Sequence, residues 1–175
     1  MGKAFSFLWE IGKIALIAFL LVVGFRLFVF QPFLVRGASM EPNFHNWDYL
    51  IVDEISYRFR NPERGEVVVF KFPNDPSQRY IKRIVGLPGE TVQVQDGQVA
   101  ILRGDEKVQL DESHYISSTT PGRVEIELSE DQYFVMGDNR AYSSDSRSWG
   151  ELSGDLIIGR VFMRVFPLSA LAKYE

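Results

Sequence analysis

The sequence predicts a mainly β protein: one N-terminal transmembrane helix followed by a mostly antiparallel β-sheet domain. Three observations carry this. An apolar run opens the chain, short Val/Ile/Phe runs separated by Gly and Pro fill the remainder, and Asp96-Gly97 sits between two alternating runs as a two-residue hairpin signal.

The first element spans the N-terminal tip and anchor, residues 1–31. Ile14–Phe25 reads IALIAFLLVVGF without a polar side chain, and the wider window Ile14–Phe33 is broken only by Arg26 and Gln31. A bilayer core needs about 20 apolar residues as helix, so Arg26 must snorkel to an interface or the bilayer must thin. A buried core helix would show an amphipathic stripe, and Phe, Leu and Val occupy every face here. A removable leader would turn small and polar soon after its apolar region, whereas Leu27–Phe30 and Phe33–Val35 stay bulky. The segment therefore reads as an uncleaved anchor, with a lipid bilayer as partner. Lys3 and Lys13 flank its N-terminal side. The positive-inside rule then puts the N-terminus in the cytoplasm and the rest of the chain outside, against the opposing pull of Arg26 and Arg36. Trp47, Phe44 and Phe33 are candidates to seat the domain against lipid.

After Pro32 helical periodicity vanishes, and residues 32–175 read as one all-β domain. The candidate strands are Tyr49–Val52, Glu66–Phe72, Tyr80–Val85, Thr91–Val94, Gln98–Leu102, Val124–Leu128, Gln132–Met136 and Ile157–Val165. Pro73-Asn74-Asp75-Pro76 and Leu87-Pro88-Gly89 read as turns. Residues Gly104–Arg123 are polar and irregular, a small excursion over the sheet with no role the sequence assigns.

Composition narrows the chemistry. The 175 residues are 46% hydrophobic, enough for a core, with a net charge of −4. A mildly acidic domain lacks the basic face that phosphate contacts need, so no nucleic acid is expected. With no Cys there is no disulfide, thiolate zinc site or cysteine nucleophile, and with only two His there is no histidine metal cluster. His45 and His114 read as surface residues.

Three stretches are not explained by local structure. Gly37-Ala38-Ser39-Met40-Glu41-Pro42 follows the apolar segment, and a lone Ser in such a loop is ordinarily a turn or cap residue. In Tyr80–Gly89, strand alternation puts Tyr80, Lys82 and Ile84 on one face and Ile81, Arg83 and Val85 on the other. Lys82 is then either a solvated lysine on an edge strand or an amine desolvated enough to be neutral near pH 7, as a lysine base requires. Gly137–Arg147 follows an apolar strand and is dense in Gly, Asp, Asn and Ser. This is ordinary turn chemistry, or a rigid lattice of Asp138, Asp145, Arg140 and Arg147. The spacing is wrong for a calcium loop, so no metal is expected.

Together the stretches resemble the type I signal peptidases, membrane-bound Ser–Lys endopeptidases that remove signal peptides from exported proteins. Ser39-Met40-Glu41-Pro42 is similar to the family's nucleophile box, and Tyr80–Gly89 with Glu90 to its lysine box. Gly137–Arg147 is similar to its Gly-Asp-Asn-Arg…Ser-x-Asp-Ser-Arg box at every defining position, and Asp48–Val52 to the strand after the nucleophile. The blocks stand in the family's order, from the anchor to about Val165.

The resemblance implies roles. Ser39 is the nucleophile and Lys82 the general base. Ser143 orients the Lys82 amine, and Asp145 and Arg147 form a supporting salt bridge within a structural loop that includes Gly137 and Asp138. Val35, Met40, Tyr80 and Ile81 line shallow apolar pockets for small residues at the substrate's −1 and −3 positions. Some members carry a Ser two positions before the nucleophile that helps form the oxyanion hole. Here that position is Gly37, so the hole is expected from the backbone N–H groups of Ser39 and Gly37. The implied reaction is cleavage of preprotein signal peptides through an acyl-enzyme, without a cofactor, in a cell's inner (plasma) membrane with the catalytic domain outside. A specialised organellar or pilus-subunit processing enzyme would use the same residues. A self-cleaving repressor would need a DNA-binding segment, and a non-enzymatic tethered β domain would not need Ser39 and Lys82.

Overall fold

In the computed structural model, the structure describes residues 7, 9–20, 30–104, 106–167 and 171–173. Residues 9–20 are helical, and Trp9, Ile14, Ile17, Phe19 and Leu20 all lie exposed. Among the described residues no helix is long and apolar enough to cross a membrane. Much of the expected span, residues 21–29, lies outside the described residues.

The remainder is β, and every described strand pair is antiparallel. The strands are β1 (Phe30–Leu34), β2 (Tyr49–Asp53), β3 (Val67–Phe72), β4 (Asp75–Gly86), β5 (Thr91–Gln95), β6 (Gln98–Arg103), β7 (Glu106–Gln109), β8 (Val124–Glu127), β9 (Gln132–Met136), β10 (Leu152–Ser153), β11 (Ile157–Phe166) and β12 (Ala172–Lys173). A large sheet runs β1-β2-β11-β3-β4-β9-β10, with β12 on β11, and a small sheet runs β7-β6-β5-β8.

All eight expected strands are present, with ends shifted by a few residues. The hairpin at Asp96-Gly97 forms with φ of 54° and 82°, the left-handed pair that a type I′ turn requires. Four strands escaped the sequence reading. β1 is the instructive one: its residues FQPFL continue the apolar run and read as the tail of the anchor, yet they pair with β2 at the sheet edge. Pro32 is tolerated because an edge strand leaves one side unpaired. The apolar run thus ends before Phe30 as far as any helix is concerned, and β1 starts just ahead of the expected domain boundary. β7 lies in the excursion, paired to β6. The expected turn at residues 73–76 is tighter than read, because β4 already begins at Asp75.

Three apolar clusters hold the sheets. One joins β2, β3 and β11 to Val35, Met40 and Phe44 of the β1–β2 connection. The second packs the small sheet onto Val85, Phe134 and Met136, and the third lies around Val68, Phe70, Ile84 and Val135. Phe44 is fully buried and so cannot seat the domain against lipid, whereas Phe33 is half-buried against the first cluster. Trp47 is exposed, with the Arg36 guanidinium 5.7 Å over its ring. His45 and His114 are exposed, as read from sequence.

Candidate active site

Ser39 lies in the turn that links β1 to β2. The hairpin continues past the strands through Val35 N–H to Asp48 O and Trp47 N–H to Val35 O, both 2.9 Å. The buried Met40 side chain roots the turn in the core, while Ser39 itself stays partly exposed. Lys82 sits on β4, opposite Val68 of β3. In the large sheet three strands separate β1 from β4, yet Lys82 Nζ donates to Ser39 Oγ at 2.9 Å. Sheet twist and curl bring the two edges of the run together.

The Lys82 side chain is almost wholly buried. Its second hydrogen bond goes to the carbonyl oxygen of Ile81 at 2.8 Å, and no described carboxylate lies within salt-bridge distance. Desolvation therefore pulls its pKa down to about 8, and the more distant charges of Asp145 and Asp138 offset only part of the fall. A solvated edge lysine, the alternative left open by the sequence, is not what the fold holds. Tyr80, on the same face, has its ring centroid 5.5 Å from Nζ.

The stretch 137–147 leaves β9, the strand beside β4, and runs behind both residues. Asn139 grips the Ser39 turn: its N–H donates to Ser39 O and its Nδ2 to Ala38 O, each at 3.0 Å. A sequence reading gives Asn139 no task beyond turn formation. Gly137 is required by close approach, since a Cβ there would lie 2.2 Å from Ser143 Oγ and 2.4 Å from Ser39 O. Ser143 Oγ is buried and makes no hydrogen bond among the described residues. Lys82 Nζ is committed to Ser39 and Ile81 instead. The Ser143 hydroxyl lies near enough to Asp145 to favour that carboxylate's charged form.

Asp145 and Arg147 form the expected ion pair, with Nε–Oδ1 and Nη2–Oδ2 both 2.8 Å. Asp145 also accepts from the Gly137 N–H at 3.1 Å and caps the short helix Ser146–Trp149. Burial alone would raise its pKa, but the Arg147 guanidinium and these donors hold it below the usual carboxylate range. Asp138 is gripped by Arg83 through Nε–Oδ1 at 2.8 Å and Nη2–Oδ2 at 2.6 Å, and by Asn43 Nδ2 at 2.8 Å.

In front of Ser39 opens a groove of about 610 Å³ lined by Phe33 and Leu34 of β1, Gln78–Lys82 of β4, and Arg36, Ser39 and Ser144. Two of the four expected pocket residues, Tyr80 and Ile81, line it. Val35 and Met40 are buried in the core beneath. The two expected oxyanion donors also differ. Ser39 N–H has no partner among the described residues, whereas Gly37 N–H already donates to Asn46 Oδ1 at 3.0 Å. Among the described residues no cluster of His, Cys, Asp and Glu has the makings of a metal site.

Residues 8–166 match the family model described as "Signal peptidase, peptidase S26". A probable signal peptidase I-2 of Synechocystis is 39% identical over 91% of this chain and 73% of its own length. A signal peptidase I of Leptolyngbya laminosa is 38% identical over 98% of this chain and 86% of its own length. A probable signal peptidase I-1 of Synechocystis is 34% identical over 94% and 85%. With a hydroxyl and a desolvated amine in contact beside a groove, and with these relatives, the chain belongs to the signal peptidase family, peptidase S26.

Proposed function

We propose that this chain is a serine endopeptidase that removes signal peptides from exported preproteins, with Ser39 as nucleophile and Lys82 as general base. The observation that carries the reading is the 2.9 Å contact between Ser39 Oγ and a buried amine that no described carboxylate pairs. As the ammonium, Lys82 donates to Ser39. Once it loses a proton the direction reverses, and the lone pair accepts the Ser39 proton as Oγ attacks the scissile carbonyl. The resulting ammonium protonates the departing amine. Lys82, neutral again, then takes a proton from the water that opens the acyl-enzyme.

The Ser39 N–H is free to meet the developing oxyanion, and the Gly37 N–H would join it by exchanging Asn46 for the substrate oxygen. Ser143 supports the amine from behind Gly137, where its buried hydroxyl, close to Asp145, can turn toward Lys82 when Ser39 is acylated. Asp145, Arg147 and Asp138 hold the loop rather than react.

The groove suits an extended peptide. β1 is a sheet edge, and β4 pairs with β9 only from Arg83 onward, so two strands present unpaired backbone to the same opening. Tyr80 and Ile81, with Phe33 and Leu34, offer apolar contact to small side chains at −1 and −3. Val35 and Met40 form the floor that keeps those contacts shallow.

The exposed apolar side chains of residues 9–20 favour a lipid-embedded anchor, since nothing in the described fold covers them. Lys13 at its N-terminal end favours a cytoplasmic N-terminus, with the β domain on the outer face of the plasma membrane. The test is mass spectrometry of a preprotein with an Ala-x-Ala site incubated with detergent-solubilised wild type and Ser39→Ala. Cleavage after that site by the wild type alone is expected. A folded wild type that leaves the preprotein intact overturns the reading.

A further inference from the structure

The excursion between β6 and β8 has no place in the chemistry above, yet it supplies the partners of the largest fully buried side chain among the described residues. Arg140 is 1% exposed. Its Nη1 and Nη2 donate to the Glu112 carboxylate at 2.8 and 2.6 Å, Nη1 donates to Thr120 Oγ1 at 2.5 Å, and Nε donates to Gly137 O at 3.0 Å. Glu112 and Thr120 are themselves buried. Tyr115 packs its ring under Arg83 at 4.3 Å, donates its hydroxyl to Glu112 at 2.6 Å, and accepts from Asn43 Nδ2 through its carbonyl at 2.7 Å. Pro121 O accepts from Arg147 Nη1 at 3.0 Å.

The excursion thus touches the 137–147 stretch at Arg140 and Arg147, and reaches Asp138 through Asn43 and Arg83. A guanidinium cannot shed its charge, so Arg140 stays inside only while Glu112 and Thr120 match its fork. Gly137 in turn sets how near Ser143 stands to Ser39, and Asn139 holds the Ser39 carbonyl. From these contacts we infer that Glu112 and Thr120 are positioning residues for the Ser39–Lys82 pair, acting through Arg140 on the loop that backs it. The inference rests on the proposed roles of Ser39 and Lys82. It adds that a segment remote from the groove sets the geometry of the reacting atoms.

The test pairs a kinetic readout with one independent of turnover. Glu112→Gln keeps the shape of Glu112 but loses its charge, and Thr120→Val removes one bond to Arg140 without burying a new polar group. Each is measured, beside wild type, for kcat and KM on an Ala-x-Ala preprotein and for the Lys82 titration midpoint by NMR of the labelled side chain. The groups that face Lys82 are Ser39, Tyr80, Asp138 and Asp145. A looser loop admits water to Lys82, which relieves the desolvation that dominates its shift.

The expected result for Glu112→Gln is a kcat about tenfold lower, a KM within about twofold, and a Lys82 midpoint moved up from about 8. Thr120→Val moves both quantities the same way by less. An unchanged kcat and midpoint in folded Glu112→Gln, with only a lower melting temperature, would show a merely structural brace and overturn the inference. If Glu112→Gln does not fold, Thr120→Val with unchanged kcat and midpoint overturns it equally. A wild type that cleaves nothing refutes the peptidase reading separately, and the titration midpoint still decides whether the excursion controls the Lys82 environment.

Discussion

Lys82 and Arg83 are neighbours on β4, and they meet opposite environments. Lys82 turns toward the groove and finds a hydroxyl and a carbonyl. Arg83 turns toward the 137–147 loop and finds a buried carboxylate, Asp138, in a two-pronged pair. The pleat alone separates them, because successive side chains point to opposite faces. Both are cations taken out of water, but only one has a counter-charge. The amine, whose proton can be given up, is left unpaired, and burial pulls its pKa to about 8. The guanidinium, whose proton cannot be given up, is paired and becomes structure. Arg140 with Glu112 and Arg147 with Asp145 repeat the structural half. On the proposed roles, charge pairing marks the scaffold here, and its absence among the described residues marks the reacting amine.

Exchanging the two kinds of cation on β4 should have the largest effect. Lys82→Arg keeps the charge and length and removes the base, so cleavage should fall by about 10³-fold or more, as far as in Lys82→Ala. A substantially active Arg variant in the preprotein assay would remove the base assignment. On the other side, Arg83→Met leaves Asp138 buried without its partner. The expected cost is ~3–5 kcal/mol, read as a melting temperature lower by about 10 °C. A change of a degree or two would mean that the pair contributes little.

Gly137→Ala tests the junction of the two sides. Its methyl would collide with the Ser39 carbonyl, a backbone atom that cannot swing aside, and with Ser143. A displacement of about 1 Å at the nucleophile should reduce kcat by about 10²-fold, measured on the folded variant. Smallest is the effect of Lys82→Met on stability. Removing an unpaired buried cation should be neutral or stabilising by ~1 kcal/mol at pH 7. The sign follows from proton counts: Lys82 titrates near 8 when folded and near 10.5 when unfolded, so the unfolded chain holds more protons between those values. Wild-type stability therefore gains on Lys82→Met as pH rises through that window, and denaturant titrations at pH 7 and 10 check it.

Strand periodicity and turn chemistry made most of the sheet legible in advance, down to the Asp96-Gly97 hairpin. β1 was hidden because FQPFL continues an apolar run, and edge pairing is decided by a partner, Tyr49–Asp53, distant in sequence. Ser39 and Lys82 were legible only through resemblance, because the sequence alone cannot say that a strand lysine is buried. Asn139, Asn46 and Glu112 were not legible as site supports. Their hydrogen bonds reach 101, 9 and 28 residues along the chain, and no local pattern encodes such pairing. Val35 and Met40 were expected to line the groove and lie buried beneath it, since apolar residues beside a candidate nucleophile serve equally as pocket or as floor.

The central claim is that Lys82 works as a neutral amine made available by burial. The direct measurement is kcat/KM of the wild type on an Ala-x-Ala preprotein from pH 6 to 10. The base must be deprotonated, so kcat/KM should rise about tenfold per pH unit below the Lys82 pKa and level off above about 8. A flat profile, or one that begins to rise only near the ordinary lysine value of about 10.4, would contradict it.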